Sequence, residues 1–240
     1  MALAVPKRGA HNHLLDVSGI QVGHFDRTGD GWLTGTTVVL PPQGTVGGVD
    51  VRGGGPGTRE TDCLAPTTMV STVDALCLSG GSAYGLDSAS GVVRWLAERN
   101  RGLRIGTEPH HVVPIVPAAV LFDLGAGGNF KCQPTAEFGY MAADRASTSD
   151  VRLGNVGAGM GARAGGLKGG IGSASVVLPN GIVVAALVAL NSAGSTVDPN
   201  TGELFGSRYG IADEFAGMKA PREQELDAWS SRPRTPPPLN

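Results

Sequence analysis

Ala174-Ser-Val-Val-Leu-Pro-Asn180-Gly-Ile-Val-Val-Ala-Ala-Leu-Val-Ala-Leu190-Asn191 is the clearest structural signal in the chain. Two β-rich apolar runs, residues 174–178 and 182–190, flank Pro179-Asn180-Gly181. An Asn-Gly pair between such arms predicts a hairpin with a type I′ turn. The second arm is apolar at both parities, so it needs strand neighbours and cover on each face. A strand of this kind belongs inside stacked sheets.

Outward from this hairpin, residues 34–40 are β-branched and stop at Pro41-Pro42, and residues 75–78 form a short apolar run closed by Gly80-Gly81. Both predict strands. Ser82 then opens a predicted helix as its N-cap, with Leu86, Ala89, Val93 and Leu96 at helical spacing and Arg99-Asn100-Arg101-Gly102 as its stop. Gly85 and Gly91 inside that helix cost about 1 kcal/mol each against Ala, so they predict a tightly packed neighbour, most simply a sheet. Residues 112–116 and 118–124 predict two strand segments bent at Pro117, residues 136–147 a weaker helix, and residues 221–229 a short last helix. Strands, a helix, then strands again give an α/β fold of stacked sheets with helices outside. One domain is expected over 1–229, followed by a Pro-rich stretch at 230–240.

Glycine is the compositional outlier: 38 of 240 residues, about twice the usual share and without a collagen-like period. So much glycine serves tight turns and close backbone approaches, which strand-dense folds use. A formal net charge of -2 with both signs interspersed leaves no basic face for nucleic acid. Cys63, Cys77 and Cys132 have no CxxC spacing, which argues for reduced thiols over a disulfide framework or a zinc site. No apolar run approaches membrane length, and the first residues lack the order of a signal peptide; a soluble, cytoplasmic protein is expected.

Residues 154–162 contain G-x-G-x-x-A, but no acid stands between Asp150 and Asp198 to bind a ribose. A loop where two backbones approach closely is the better reading. His110 and His111 are adjacent, and neighbours on a strand point to opposite faces, so they make no metal pair. Gly80-Gly81-Ser82-Ala83-Tyr84-Gly85 is not a G-x-S-x-G elbow. Residues 52–62 place two Arg and two acids around a turn, which by itself reads as a solvated loop with local ion pairs. Lys168, between glycine pairs, is either an exposed cation or one held close to backbone and substrate.

Four blocks taken together carry a resemblance: 52–62 (RGGGPGTRETD), 78–96 (LSGGSAYGLDSASGVVRWL), 113–124 (VPIVPAAVLFDL) and 154–172 (GNVGAGMGARAGGLKGGIG). In this order they resemble the L-aminopeptidase/D-esterase family of self-processing peptidases, whose members include β-aminopeptidases and nylon-oligomer hydrolases. The resemblance implies a four-layer αββα sandwich completed by a separate β chain. It implies a precursor that cuts itself before a Ser or Thr, which then acts as nucleophile with its own α-amino group as base. On that expectation the chain is the α chain, Asn240 is the cleavage site, and the Pro-rich 230–240 is a linker reaching the active site.

By the same resemblance Asn191 matches an oxyanion-donating Asn, Lys168 the approximate place of an active-site Lys, and Tyr84 a residue near the substrate amine. Gly81, Ser82 and Tyr140 are the implied substrate contacts. The implied partners are a β chain from the same precursor and further αβ units; the implied substrates are short peptides, amino-acid amides or esters, with no metal or cofactor. Two rivals remain: acyl transfer of the ornithine acetyltransferase kind, and a non-catalytic glycine-rich binding scaffold. A Ser or Thr after Asn240 favours the enzyme over the scaffold.

Overall fold

A computed structural model describes residues 5–231, so Asn240 and most of the Pro-rich stretch lie outside the described residues. The strands, in chain order, are β1 (Lys7–Arg8), β2 (Gln21–Gly29), β3 (Trp32–Leu40), β4 (Thr58–Arg59), β5 (Leu76–Ser79) and β6 (Leu103–Arg104). They continue with β7 (Val112–Val113), β8 (Ala118–Val120), β9 (Arg163–Ala164), β10 (Leu167–Lys168), β11 (Gly170–Val177) and β12 (Val183–Leu190). The α-helices are α1 (Ser88–Ala97), α2 (Ala136–Asp144) and α3 (Glu223–Ser230). By compactness the chain divides into a larger unit, Met1–Arg163 with Lys168–Asn191, and a smaller one, Ala164–Leu167 with Ser192–Asn240. The sequence expectation was one domain over 1–229.

The larger unit holds a five-stranded sheet in the order β2-β3-β5-β8-β4 and a three-stranded sheet in the order β1-β11-β12. Only β5 and β8 run parallel in the first; the second is antiparallel throughout. On one face of the five-stranded sheet, Val38, Leu40, Ala75, Cys77 and Val116 pack against Ala89, Val92 and Leu96 of α1 and Ala142 of α2. On the other face, Leu78 and Leu121 meet Ile171, Leu187 and Ala189 of the β11–β12 hairpin, with Val156, Ala158 and Ala162 between. The described residues thus stack helices on a sheet and that sheet on a second one, a mixed α/β architecture as the sequence leads one to expect. Burying one Leu such as Leu96 in such a core contributes roughly 1.5–3 kcal/mol.

The outer face of β11–β12 is different. Val184 and Val188 are 50% and 51% exposed, and Ile182 at the start of the arm 54%. The alternation of β12 sends Leu187 and Ala189 to the core and Val184 and Val188 outward, both sets apolar.

Several local expectations change. α1 does pack on a sheet, but the close approach at Gly91 is to α2: a Cβ there would overlap the carbonyl oxygen of Ala136, and one at Gly139 that of Ser88. The first N–H of α2 is capped from a distance, Ala136 N donating to Asp87 Oδ2 at 2.8 Å. The 180–181 turn is not type I′, because only Gly181 has positive φ, at 85°. Pro179 holds its own φ negative, so Gly181 N bonds Leu178 O at 2.8 Å and the glycine forms a left-handed bulge. His110 and His111 lie in the connection between β6 and β7, not on a strand, and their rings touch edge-to-face at 4.5 Å. Of the 52–62 block, Arg52 keeps a surface pair with Asp50, whereas Arg59 Nη1 donates to Ser90 Oγ and Glu60 Oε2 accepts from Val116 N.

Between the sheets sits His24, 1% exposed. Thr37 Oγ1 accepts from Ala158 N at 3.0 Å and meets His24 Nδ1 at 2.9 Å. Burial pushes the imidazole down to about 4, against the nearby charge of Asp150. His13, also buried, is lowered for the same first reason.

In the smaller unit, Val197 and Leu204 form an isolated bridge, and Arg208 pairs with Asp198 at 2.9 Å beside the ring of Phe205. Among the described residues, no helix is long and apolar enough to cross a membrane.

Candidate active site at three strand ends

Because β5 and β8 are parallel, both strands finish at the same end of the sheet. After β5 comes Gly80-Gly81-Ser82; after β8 comes Leu121-Phe122-Asp123. Backbone and side chain knit the two exits together. Leu121 N donates to Ser79 O at 2.8 Å, Ser82 N to Leu121 O at 2.9 Å, and Gly81 N to Asp123 Oδ1 at 2.6 Å.

A third strand end joins them. Asn191, immediately after β12, accepts from Phe122 N at 2.8 Å and donates from Nδ2 to Phe122 O at 3.2 Å and to Arg163 O at 3.0 Å. Its amide therefore clasps the backbone of Phe122 on both sides, and both of its N–H groups have carbonyl acceptors.

The turn after β5 is conformationally unusual. Gly81 has φ 82° and Ser82, a residue with a Cβ, has φ 51°. A left-handed non-glycine residue costs of order 1–3 kcal/mol and persists where its surroundings hold it. The expected helix cap at Ser82 is therefore not formed. Ser82 lies inside a 3-10 turn, Ser82–Asp87, whose cap position is Gly81 and has no side-chain cap bond, and the α-helix starts only at Ser88. Tyr84 follows in that turn and is 58% exposed, as is Phe122. Among the described residues, no hydrogen bond pairs the Ser82 hydroxyl with a base.

Asp123 is 5% exposed, with Thr34 Oγ1 donating to Oδ2 at 2.6 Å and Gly81 N to Oδ1. Burial pushes its carboxyl up, and these two bonds pull the other way. Sequence reasoning missed this residue. Its only signal was an acid in an otherwise apolar run, VLFDL, and its partners are remote in sequence.

The other candidates divide. Gly81, Ser82 and Asn191 are brought into one neighbourhood by the bonds above, with Tyr84 in the same turn. Lys168 lines a shallow groove of about 280 Å³ with Gly154, Gly170, Gly172, Val188 and Leu190. Val188 belongs to the outer face of β12, whereas Asn191 follows the alternation of Leu187 and Ala189. Tyr140 is not brought to the strand ends. On α2 it points along the helical layer, its hydroxyl donating to Glu98 Oε2 at 2.7 Å and its ring under Arg94.

A protein of Mycobacterium tuberculosis named "uncharacterized aminopeptidase" is 53% identical over 219 residues, covering 89% of this chain and 62% of its own. The chain thus spans less than two thirds of that relative. Among solved structures, a Burkholderia sp. beta-aminopeptidase superposes with a TM-score of 0.65 at 25% identity, over 82% of this chain and 56% of its own. The l-aminopeptidase d-ala-esterase/amidase of Ochrobactrum anthropi, described as a variant of the Ntn hydrolase fold, gives 0.64 at 21% identity, over 83% of this chain and 59% of its own. That likeness concerns the fold. The sequence model of peptidase family S58 matches residues 12–215, and the chain belongs to that family.

Proposed function

We propose that this chain is the larger part of a self-cleaving amidohydrolase that releases N-terminal residues from short peptides, amino-acid amides or esters. The observation that carries the reading is the three-strand cradle itself. It offers a strained turn, exposed Tyr84 and Phe122, and an amide-rich strand end, yet pairs no nucleophile with a base among the described residues. Such a site awaits an attacking group from elsewhere. Membership of the S58 peptidase family, and relatives named as aminopeptidases, support the same chemistry.

In this reading the nucleophile is a Thr, or else a Ser, freed by self-cleavage of a precursor. Its hydroxyl oxygen bonds to the substrate carbonyl carbon while the hydroxyl proton passes to its own α-amino group, a base with pKa near 8. Collapse breaks the C–N or C–O bond, the proton leaves with the amine or alcohol, and water hydrolyses the ester that remains. No metal or cofactor is needed. Asn191 Nδ2 stabilises the tetrahedral oxyanion by exchanging its longer bond, the 3.2 Å one to Phe122 O, for the substrate oxygen. The remainder of the precursor supplies the second chain, which covers the outer face of β12, and the αβ units assemble further.

The test is Asn191→Ala in the complete, processed protein. It is expected to lower kcat about 10²–10³-fold with a smaller change in KM. An unchanged kcat on an aminoacyl amide would remove Asn191 from the mechanism.

A further inference from the structure

We infer that Asp123 is a positioning residue, a buried carboxylate that holds the Gly80–Ser82 turn in its left-handed form and so sets the place of Ser82 and Tyr84 in the cradle. The inference rests on the amidohydrolase reading for its effect on catalysis, but not for the geometry. Three of the glycine- or strand-rich sequence blocks converge on this one side chain. From the 78–96 block, a Cβ at Gly80 would overlap both Asp123 Oδ2 and Thr34 Oγ1. From the 154–172 block, a Cβ at Gly161 would overlap the backbone oxygen of Leu33 and stand 2.8 Å from Oδ2, closer than real Cβ contacts come. The carboxylate itself comes from the 113–124 block. Gly80 leaves room for the carboxylate, and Gly161 lets it and the Leu33 backbone approach together.

Each oxygen then has one short donor, Gly81 N and Thr34 Oγ1, both at 2.6 Å. Among the described residues no ion pair involves Asp123. A carboxylate kept 5% exposed with hydrogen bonds in place of a counter-charge is costly to bury, and a neutral side chain could fill the same space. What a carboxylate adds is a strong acceptor for the N–H of a residue in positive φ, one position before the strained Ser82. Its other tie runs to β3, the neighbour of β5 in the sheet. Asp123 thus fixes the turn to the rigid sheet, just as Asn191 fixes Phe122.

The test uses the full-length precursor, with Asp123→Asn, Asp123→Leu and Thr34→Val compared for kcat and KM on an aminoacyl p-nitroanilide, for thermal midpoint, and for amide hydrogen exchange over residues 79–84. Misplacing a site residue by about 1 Å can cost 10²-fold, so Asp123→Asn is expected to lower kcat of the folded enzyme about 10–100-fold with KM nearly unchanged. Exchange at the turn should quicken. Thr34→Val, which removes one of the two bonds, should do less of both and covers the case in which Asp123→Leu fails to fold. A lowered midpoint with kcat of the folded fraction intact would mean support of the fold alone, and would overturn the inference. If the wild-type protein hydrolyses nothing, the amidohydrolase reading falls and exchange decides the rest: unchanged protection of the turn in Asp123→Asn overturns the holding role as well.

Discussion

The five-stranded sheet and the β11–β12 hairpin each turn an apolar face away from their shared seam. On the first, Val38, Leu40, Cys77 and Val116 are closed over by α1 and α2, so tightly that two glycines mark the crossing of the helices. On the second, Val184 and Val188 stand half exposed with no such layer above them among the described residues. The same residue types therefore meet two different fates in one chain. A sheet face rich in Val and Leu costs free energy in water, roughly 25 cal/mol per Å² of apolar surface, unless something lies on it. The helix-covered face needs nothing more. The hairpin face has no cover among the described residues, and the second chain is proposed as one.

The largest effect expected from this difference concerns the chain expressed by itself. With the β12 face bare and its free edge unpaired, the 240-residue chain should form mixed oligomers and unfold without a single cooperative transition. Sedimentation and thermal scanning would check this. A monodisperse, cooperatively unfolding monomer would mean that the two faces do not differ in need.

A second, smaller effect probes the seam between the sheets. His24 has its pKa lowered to about 4 in the folded state, against about 6.5 unfolded. The unfolded state therefore binds the proton more readily. The stability is fully present above about pH 6.5, declines as pH falls toward 4, and levels off below it. The loss is of order 3 kcal/mol, with His13 adding in the same direction. Denaturant titrations of the complete protein across that window should find the decline, and a His24→Leu variant should have a shallower one whatever its absolute stability.

The smallest effect is the sharpest for the comparison. In the complete protein, Val188→Ala should cost about 1.5 kcal/mol, the loss of two buried methyl-sized groups. If the face stays open to water there too, the change should fall within about 0.5 kcal/mol, as at ordinary surface positions.

What the sequence made legible follows from range. The hairpin through Asn180-Gly181, the strand at 34–40 and the helix with Leu96 are local patterns, and the structure contains all three. Even there the turn type differs: Pro179 has no N–H to donate across an Asn-Gly turn, and the turn is centred on Pro179-Asn180 with Gly181 after it. The β2 strand was not anticipated, although Asp30-Gly31, both in positive φ, is a hairpin signal of the same kind. The nearness of Gly81 and Ser82 to one another is local in sequence, whereas the bonds that bring Asn191 to Phe122 are not. Asp123 was not legible, since Thr34, Gly80 and Gly161 reach it from three distant segments. Tyr140, a substrate contact by the resemblance, falls on a face of α2 where its hydroxyl donates to Glu98.

The proposal to test first is that self-cleavage frees the attacking hydroxyl that this cradle lacks among the described residues. Intact-mass analysis and N-terminal sequencing of the protein purified from its complete gene test it most directly. Two co-purifying chains are expected, the second beginning with Thr or Ser, and a single uncleaved, inactive polypeptide when that Thr or Ser is changed to Ala. A single chain that hydrolyses aminoacyl amides, or an Ala variant that still splits, would contradict it.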